Sequence, residues 1–138
     1  MSDSTYRLRP IGWVESSIVD RDAAPKQGDE GAPPARVILY PEFRDAAEGL
    51  RAGDEVLLLT WLHEGRRDVL FVHPRGDTSR PLSGVFATRS PDRPNPIGLH
   101  PVEIEAVEDD AISVRNLEAI DGTPVVDIKP VLGSLDRR

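Results

Sequence analysis

The chain has no cysteine. That removes disulfides, thiolate nucleophiles and cysteine-built zinc sites together. Its three histidines, His63, His73 and His100, are too far apart for a local metal motif, and no metal is expected. No apolar run approaches a membrane span, and the N-terminus carries no signal-peptide hydrophobic segment, so a cytoplasmic protein without a membrane partner is expected. The glycine patterns of common nucleotide and hydrolase folds are also missing: no G-x-G-x-x-G, no G-x-x-x-x-G-K-[ST] and no G-x-S-x-G elbow. Acidic residues number 24, but no spacing singles out one pair for carboxylate catalysis.

What is present fits one domain over residues 1–138, with residues 133–138 as a loose tail. The formal net charge is −7, which disfavours a free-standing nucleic-acid binder. The charge is uneven. Between Glu64 and Arg93 six arginines face four acids, a local sum of +2, while the remainder sums to −9. A basic patch on an acidic body suits an anionic ligand or a locally docked RNA; scattered surface arginines account for the same numbers.

Hydrophobic periodicity is mostly of the β type. Strands are predicted at 8–14, 35–39, 55–62, 67–72, 102–107, 112–114 and 125–128, with a short helix over 41–50 introduced by Pro41. The run from Glu55 to Leu62 is nearly all apolar and reads as a strand buried on both faces, with 67–72 as its hairpin partner. The fold class is therefore mainly β: a small antiparallel barrel with one short helix and long loops.

The most informative stretch is Gly84 to Leu99. Its prolines at 91, 94 and 96 fix their own φ and push Ser90, Arg93 and Asn95 toward extended backbone. A loop stiffened in advance loses little freedom when a ligand arrives. It carries Arg89 and Arg93, with Asn95 beside them, and reads as a binding loop. Other candidates lie at loop ends. His63 follows the apolar strand, where it either faces a site or bonds a neighbouring carbonyl. His100 lies just past the proline loop, and Pro25-Lys26-Gln27 and Asp121-Gly122-Thr123-Pro124 read by default as a solvated loop and a turn.

In order, Ile11-Gly12, Pro25-Lys26-Gln27, Leu62-His63, the segment Gly84 to Leu99 and Asp121 to Pro130 resemble the TrmO family, also called TsaA-like or YaeB-like. These are S-adenosylmethionine-dependent tRNA methyltransferases, and the resemblance spans roughly Tyr6 to Val131. It implies a β-barrel enzyme acting as a homodimer, with the cofactor near the subunit interface, that methylates N6 of threonylcarbamoyladenosine beside the tRNA anticodon. By motif position, Pro25, Lys26, Gln27, Leu62, His63, Arg89, Leu99, Asp121, Gly122, Thr123 and Pro124 would contact S-adenosylmethionine. Arg93 and Asn95 would shape the pocket or meet the acceptor, and His63 is the candidate base or orienting group. His100 stands where many relatives place serine, Lys26 where arginine is common, and Val131 where tyrosine is frequent. Two other functions fit the same residues: methylation of a small anionic metabolite, which the acidity favours, and a non-catalytic nucleotide-binding barrel.

Overall fold

In the computed structural model, residues 4–19 and 34–133 are described. Strands β1 (Gly12–Glu15), β2 (Ala35–Leu39), β3 (Glu55–Trp61), β6 (Ile97–Val107), β7 (Ala111–Arg115) and β8 (Pro124–Pro130) close into an antiparallel barrel in the order β1-β2-β7-β6-β3-β8. Alternation along these strands decides what fills it. Val14, Val37, Val56, Leu58, Val102, Ile104, Ile112, Val114 and Val125 point inward and are buried together. Closure pairs β1 with β8 and leaves the barrel no open edge.

A separate two-stranded ribbon, β4 (Phe71–Val72) with β5 (Ser83–Gly84), stands outside the barrel. It corrects the expectation that 67–72 forms a hairpin with the preceding strand. Both edges of β3 are taken by β6 and β8, so the chain after Trp61 has no barrel edge to pair with. The strand β3 also departs from a fully buried run. Val56, Leu58 and Thr60 are buried, whereas Leu57, Leu59 and Trp61 on the outer face are only half-buried.

The expected helix is a 3-10 segment, Pro41–Ala47, begun by Pro41 and lacking a side-chain cap. The first strand is shorter than predicted, and β6 starts at Ile97, so the end of the proline segment is already barrel wall. Its register sets Gly98 opposite Thr60 and His100 opposite Leu58. Beside Thr60 the pairing of β3 with β8 slips by a bulge, which re-aims the chain locally. After β7, Asn116 adopts a left-handed φ of 70°, a conformation asparagine tolerates better than most residues. The turn sends Leu117 into the core and brings Glu118 to a cleft.

Candidate functional site

One end of the barrel opens into a cleft of about 1700 Å³. The proline loop forms one wall, the chain leaving β3 a second, and the start of β6 with the segment after β7 the floor. Of the residues expected to form a site, Leu62, His63, Arg89, Arg93, Asn95, Leu99 and Thr123 all line it. Elements far apart in sequence thus converge on one space.

Hydrogen bonds make the loop rigid from both sides. The Arg93 guanidinium turns back into its own loop and donates to the carbonyls of Thr88, Ser90 and Val85, each at 3.0 Å. From outside, Arg67 donates to Pro94 O at 2.7 Å and Asn95 Oδ1 at 2.9 Å, while its guanidinium lies over the Trp61 ring. Main-chain bonds join the two segments: Arg93 N–H to Arg66 O at 2.8 Å, and Arg66 N–H to the Asp92 carboxylate at 2.9 Å. Gly65 is needed for this approach, because a Cβ there would lie 2.3 Å from Pro91 O.

The two loop arginines therefore do different things. Arg93 holds the loop's shape, so its charge is already engaged by carbonyls. Arg89 is exposed at the cleft and has no hydrogen-bond or ion-pair partner among the described residues. It is a cation available to a ligand. His63 sits at the rim with Nε2 3.9 Å from Glu64 Oε2. Leu62 and half-exposed Leu99 add apolar surface.

The turn at 121–124 is placed differently. The Asp121 carboxylate accepts from Ser16 N–H at 3.0 Å, while Asp121 N–H donates to Ile18 O at 2.6 Å and Gly122 N–H to Val14 O at 2.7 Å. These bonds seam the turn to β1, and only Thr123 of the four reaches the cleft wall, its hydroxyl given to Ile120 O at 2.7 Å. Asp121, Gly122 and Pro124 are thus not brought to the cleft. Pro25, Lys26, Gln27 and the tail beyond Gly133 lie outside the described residues.

One group escaped the sequence reading, and another was named without its role. Arg67 was one arginine among several, with nothing to mark it as a brace. His100 is buried in the cleft floor, its Nε2 2.7 Å from Thr60 Oγ1 and its Nδ1 hydrogen-bonded to Glu118. A signal for it existed: extending the inward alternation of Val102 and Ile104 back through the prolines puts His100 and Gly98 on the same buried face. A smaller hollow of about 430 Å³ beside Glu15 and Arg36 is less suited to a ligand, since Arg36 is already paired with Glu15 and Glu108.

These elements define a small closed antiparallel β-barrel with a proline-braced, arginine-bearing cleft at one end. The chain belongs to the tRNA-methyltransferase O N-terminal domain family, whose profile matches residues 13–137. A probable S-adenosyl-L-methionine-binding protein of Methanothermobacter thermautotrophicus is 43% identical over 136 residues, covering 99% of this chain and 97% of the relative. A protein of the same description from Methanocaldococcus jannaschii is 44% identical, covering 95% of this chain and 96% of the relative. The crystal structure of TrmO from Pseudomonas aeruginosa superposes with a TM-score of 0.78 at 33% identity; the match covers 98% of this chain and 60% of that one. The chain thus spans about three fifths of the solved TrmO chain.

Proposed function

We propose that the cleft binds S-adenosylmethionine and that the protein transfers its methyl group to N6 of threonylcarbamoyladenosine next to the tRNA anticodon. The observation that carries this reading is Arg89, a guanidinium exposed on a pre-stiffened loop at the cleft and unpartnered among the described residues. It would take a carboxylate, either the cofactor's own or that of the threonyl group on the acceptor. Leu62 and Leu99 offer apolar surface for the nucleoside, and Thr123 and Asn95 stand at the edges. The residues therefore suit a molecule that is part apolar and part zwitterionic. When bound, the cofactor supplies a methyl group on positive sulfur. The chain's own task is alignment, which a braced wall performs well. The family membership and the names of the archaeal relatives support the cofactor half of this reading.

The reading extends to assembly and place. Leu70, Phe71, Leu82 and Phe86 are exposed on and around the β4–β5 ribbon, Phe86 at 82%. Apolar side chains grouped beside a cleft suit a second copy of the chain, and we infer a homodimer with the ligand near the interface. A tRNA acceptor places the reaction in the cytoplasm.

Titration calorimetry with S-adenosylmethionine tests the first half. Binding is expected, and Arg89→Ala should weaken it, or the acceptor's binding, by about 1.5–3 kcal/mol if a charge-assisted bond is lost. No binding by the folded protein would leave only the non-catalytic barrel. Methyl transfer to tRNA with and without threonylcarbamoyladenosine tests the second half. Binding without transfer to either tRNA would turn attention to a small anionic acceptor, which the net charge of −7 opposes less than it opposes a tRNA.

A further inference from the structure

The cleft floor holds a polar chain that none of the roles above uses. Thr60 on β3 and His100 on β6 are buried beside a core built mainly of valine, leucine and isoleucine. Thr60 Oγ1 and His100 Nε2 are 2.7 Å apart, and His100 Nδ1 is bonded to one carboxylate oxygen of Glu118. A carboxylate only accepts, so Nδ1 carries the hydrogen; in the neutral ring Nε2 then accepts from the threonine hydroxyl. The other Glu118 oxygen has no partner among the described residues, yet no buried side-chain oxygen or nitrogen there lacks one. That oxygen is therefore accessible, and Glu118 lines the cleft.

Three polar side chains in an apolar wall are costly unless fully bonded. Here two hydrogen bonds link all three, and Glu118, whose second oxygen is accessible, lines the cleft. We propose that Glu118 takes up the proton released by the nitrogen that is methylated, with His100 and Thr60 as its positioning residues. The proposal rests on the methyl-transfer reading above. The acceptor nitrogen's bond to the methyl carbon forms as the carbon–sulfur bond breaks and its electron pair stays with sulfur; the N–H proton passes to the open oxygen of Glu118. One negative carboxylate and one positive sulfur become two neutral groups, so charge balances within the site. His100 donates to Glu118 throughout, holding the carboxylate in one orientation.

Other charged groups share the space. From the proline loop come Arg89, Asp92 and Arg93, and from the turn after β3 come His63 and Glu64. Glu55 on β3, Glu103 on β6, and His73 and Arg75 before the ribbon's second strand complete the set. Of these His63, the candidate base named from the sequence, is the first rival proton acceptor, and the test separates it from Glu118.

The test uses the full chain, labelled S-adenosylmethionine and tRNA carrying threonylcarbamoyladenosine, with single-turnover rates followed against pH. Glu118→Gln should lower the rate ~10²–10⁴-fold, the usual range for a lost acid–base group, and abolish the fall in rate toward acid pH, while cofactor affinity by calorimetry holds. His63→Ala should retain that acid limb. Nitrogen spectra of the histidine rings, taken without cofactor or acceptor, should show His100 protonated at Nδ1 and the signal displaced in Glu118→Gln. If that variant does not fold, Glu118→Asp, which withdraws the carboxylate by one methylene, should give a reduced rate at unchanged affinity. A Glu118→Gln enzyme with the wild-type rate and pH profile, or an acid limb lost in His63→Ala instead, overturns the proposal alone. A wild-type protein that methylates neither tRNA overturns the function reading and this proposal together.

Discussion

Gly98 stands opposite Thr60 on β6, and its backbone is not in the left-handed region, so alanine meets no conformational bar there. The obstacle is the neighbours. A Cβ would lie 2.4 Å from Thr60 Oγ1, 2.6 Å from His100 Nε2 and 3.0 Å from Leu62 Cδ2. The first two atoms are the ends of one buried hydrogen bond, so Gly98→Ala drives a methyl group against it. Leaving those partners unsatisfied costs about 1–3 kcal/mol, and overpacking costs about 1–3 kcal/mol. Stiffening the unfolded chain offsets about 0.4–1 kcal/mol. The expected net loss is about 1–6 kcal/mol, read from the urea midpoint at constant slope. A second arm isolates the cause: in a His100→Ala background the penalty should shrink by more than ~0.5 kcal/mol, the threshold for coupled neighbours. A Gly98→Ala protein within ~0.5 kcal/mol of wild type, as for an inert surface change, would refute the reasoning, as would simple additivity.

Arg93→Ala removes three charged-donor bonds to carbonyls of the half-buried loop and should cost about 2–3 kcal/mol by denaturant unfolding, discounted for partial exposure, with faster amide exchange across 84–96. Ser79→Ala should raise the Asp77 carboxyl toward its ordinary value in a carbon-detected pH titration. In the native protein that carboxyl is held low, first by the Ser79 hydroxyl and then by the Ser79 backbone N–H. Because the folded value lies below the unfolded one, its contribution to stability is present above the unfolded value and lost as pH falls through the folded one. Phe86→Asp should shift the protein toward monomer in sedimentation velocity without lowering its thermal midpoint, since Phe86 is largely exposed within the chain; an unchanged dimer would move the interface elsewhere.

Much of the barrel was legible because strands such as β1, β2 and β3 alternate in burial, and β2 was read to the residue. Failures came where tertiary pairing decides. Nothing in residues 67–72 reveals that both edges of β3 are already occupied, so a hairpin between neighbours looked natural. Within the site, the proline loop was legible because proline acts through local sterics. The division of labour between Arg89 and Arg93 was not, since it depends on which guanidinium finds carbonyls after folding. The Asp121 segment was read by default as a turn, with a ligand role implied by the resemblance, while its hydrogen bonds to Val14 and Ser16, about a hundred positions away, seam it to the first strand and the residue after it.

Residues 62–96 leave the barrel at the end of β3 and return at the start of β6, and Leu62 N–H meets Pro96 O at 2.7 Å across the gap. The excursion starts and finishes at a single point between two strands that are already neighbours. The barrel's continuity therefore does not depend on what the excursion contains. A lineage, or a protein engineer, can exchange this cassette to suit a different acceptor while the underlying cylinder stays intact.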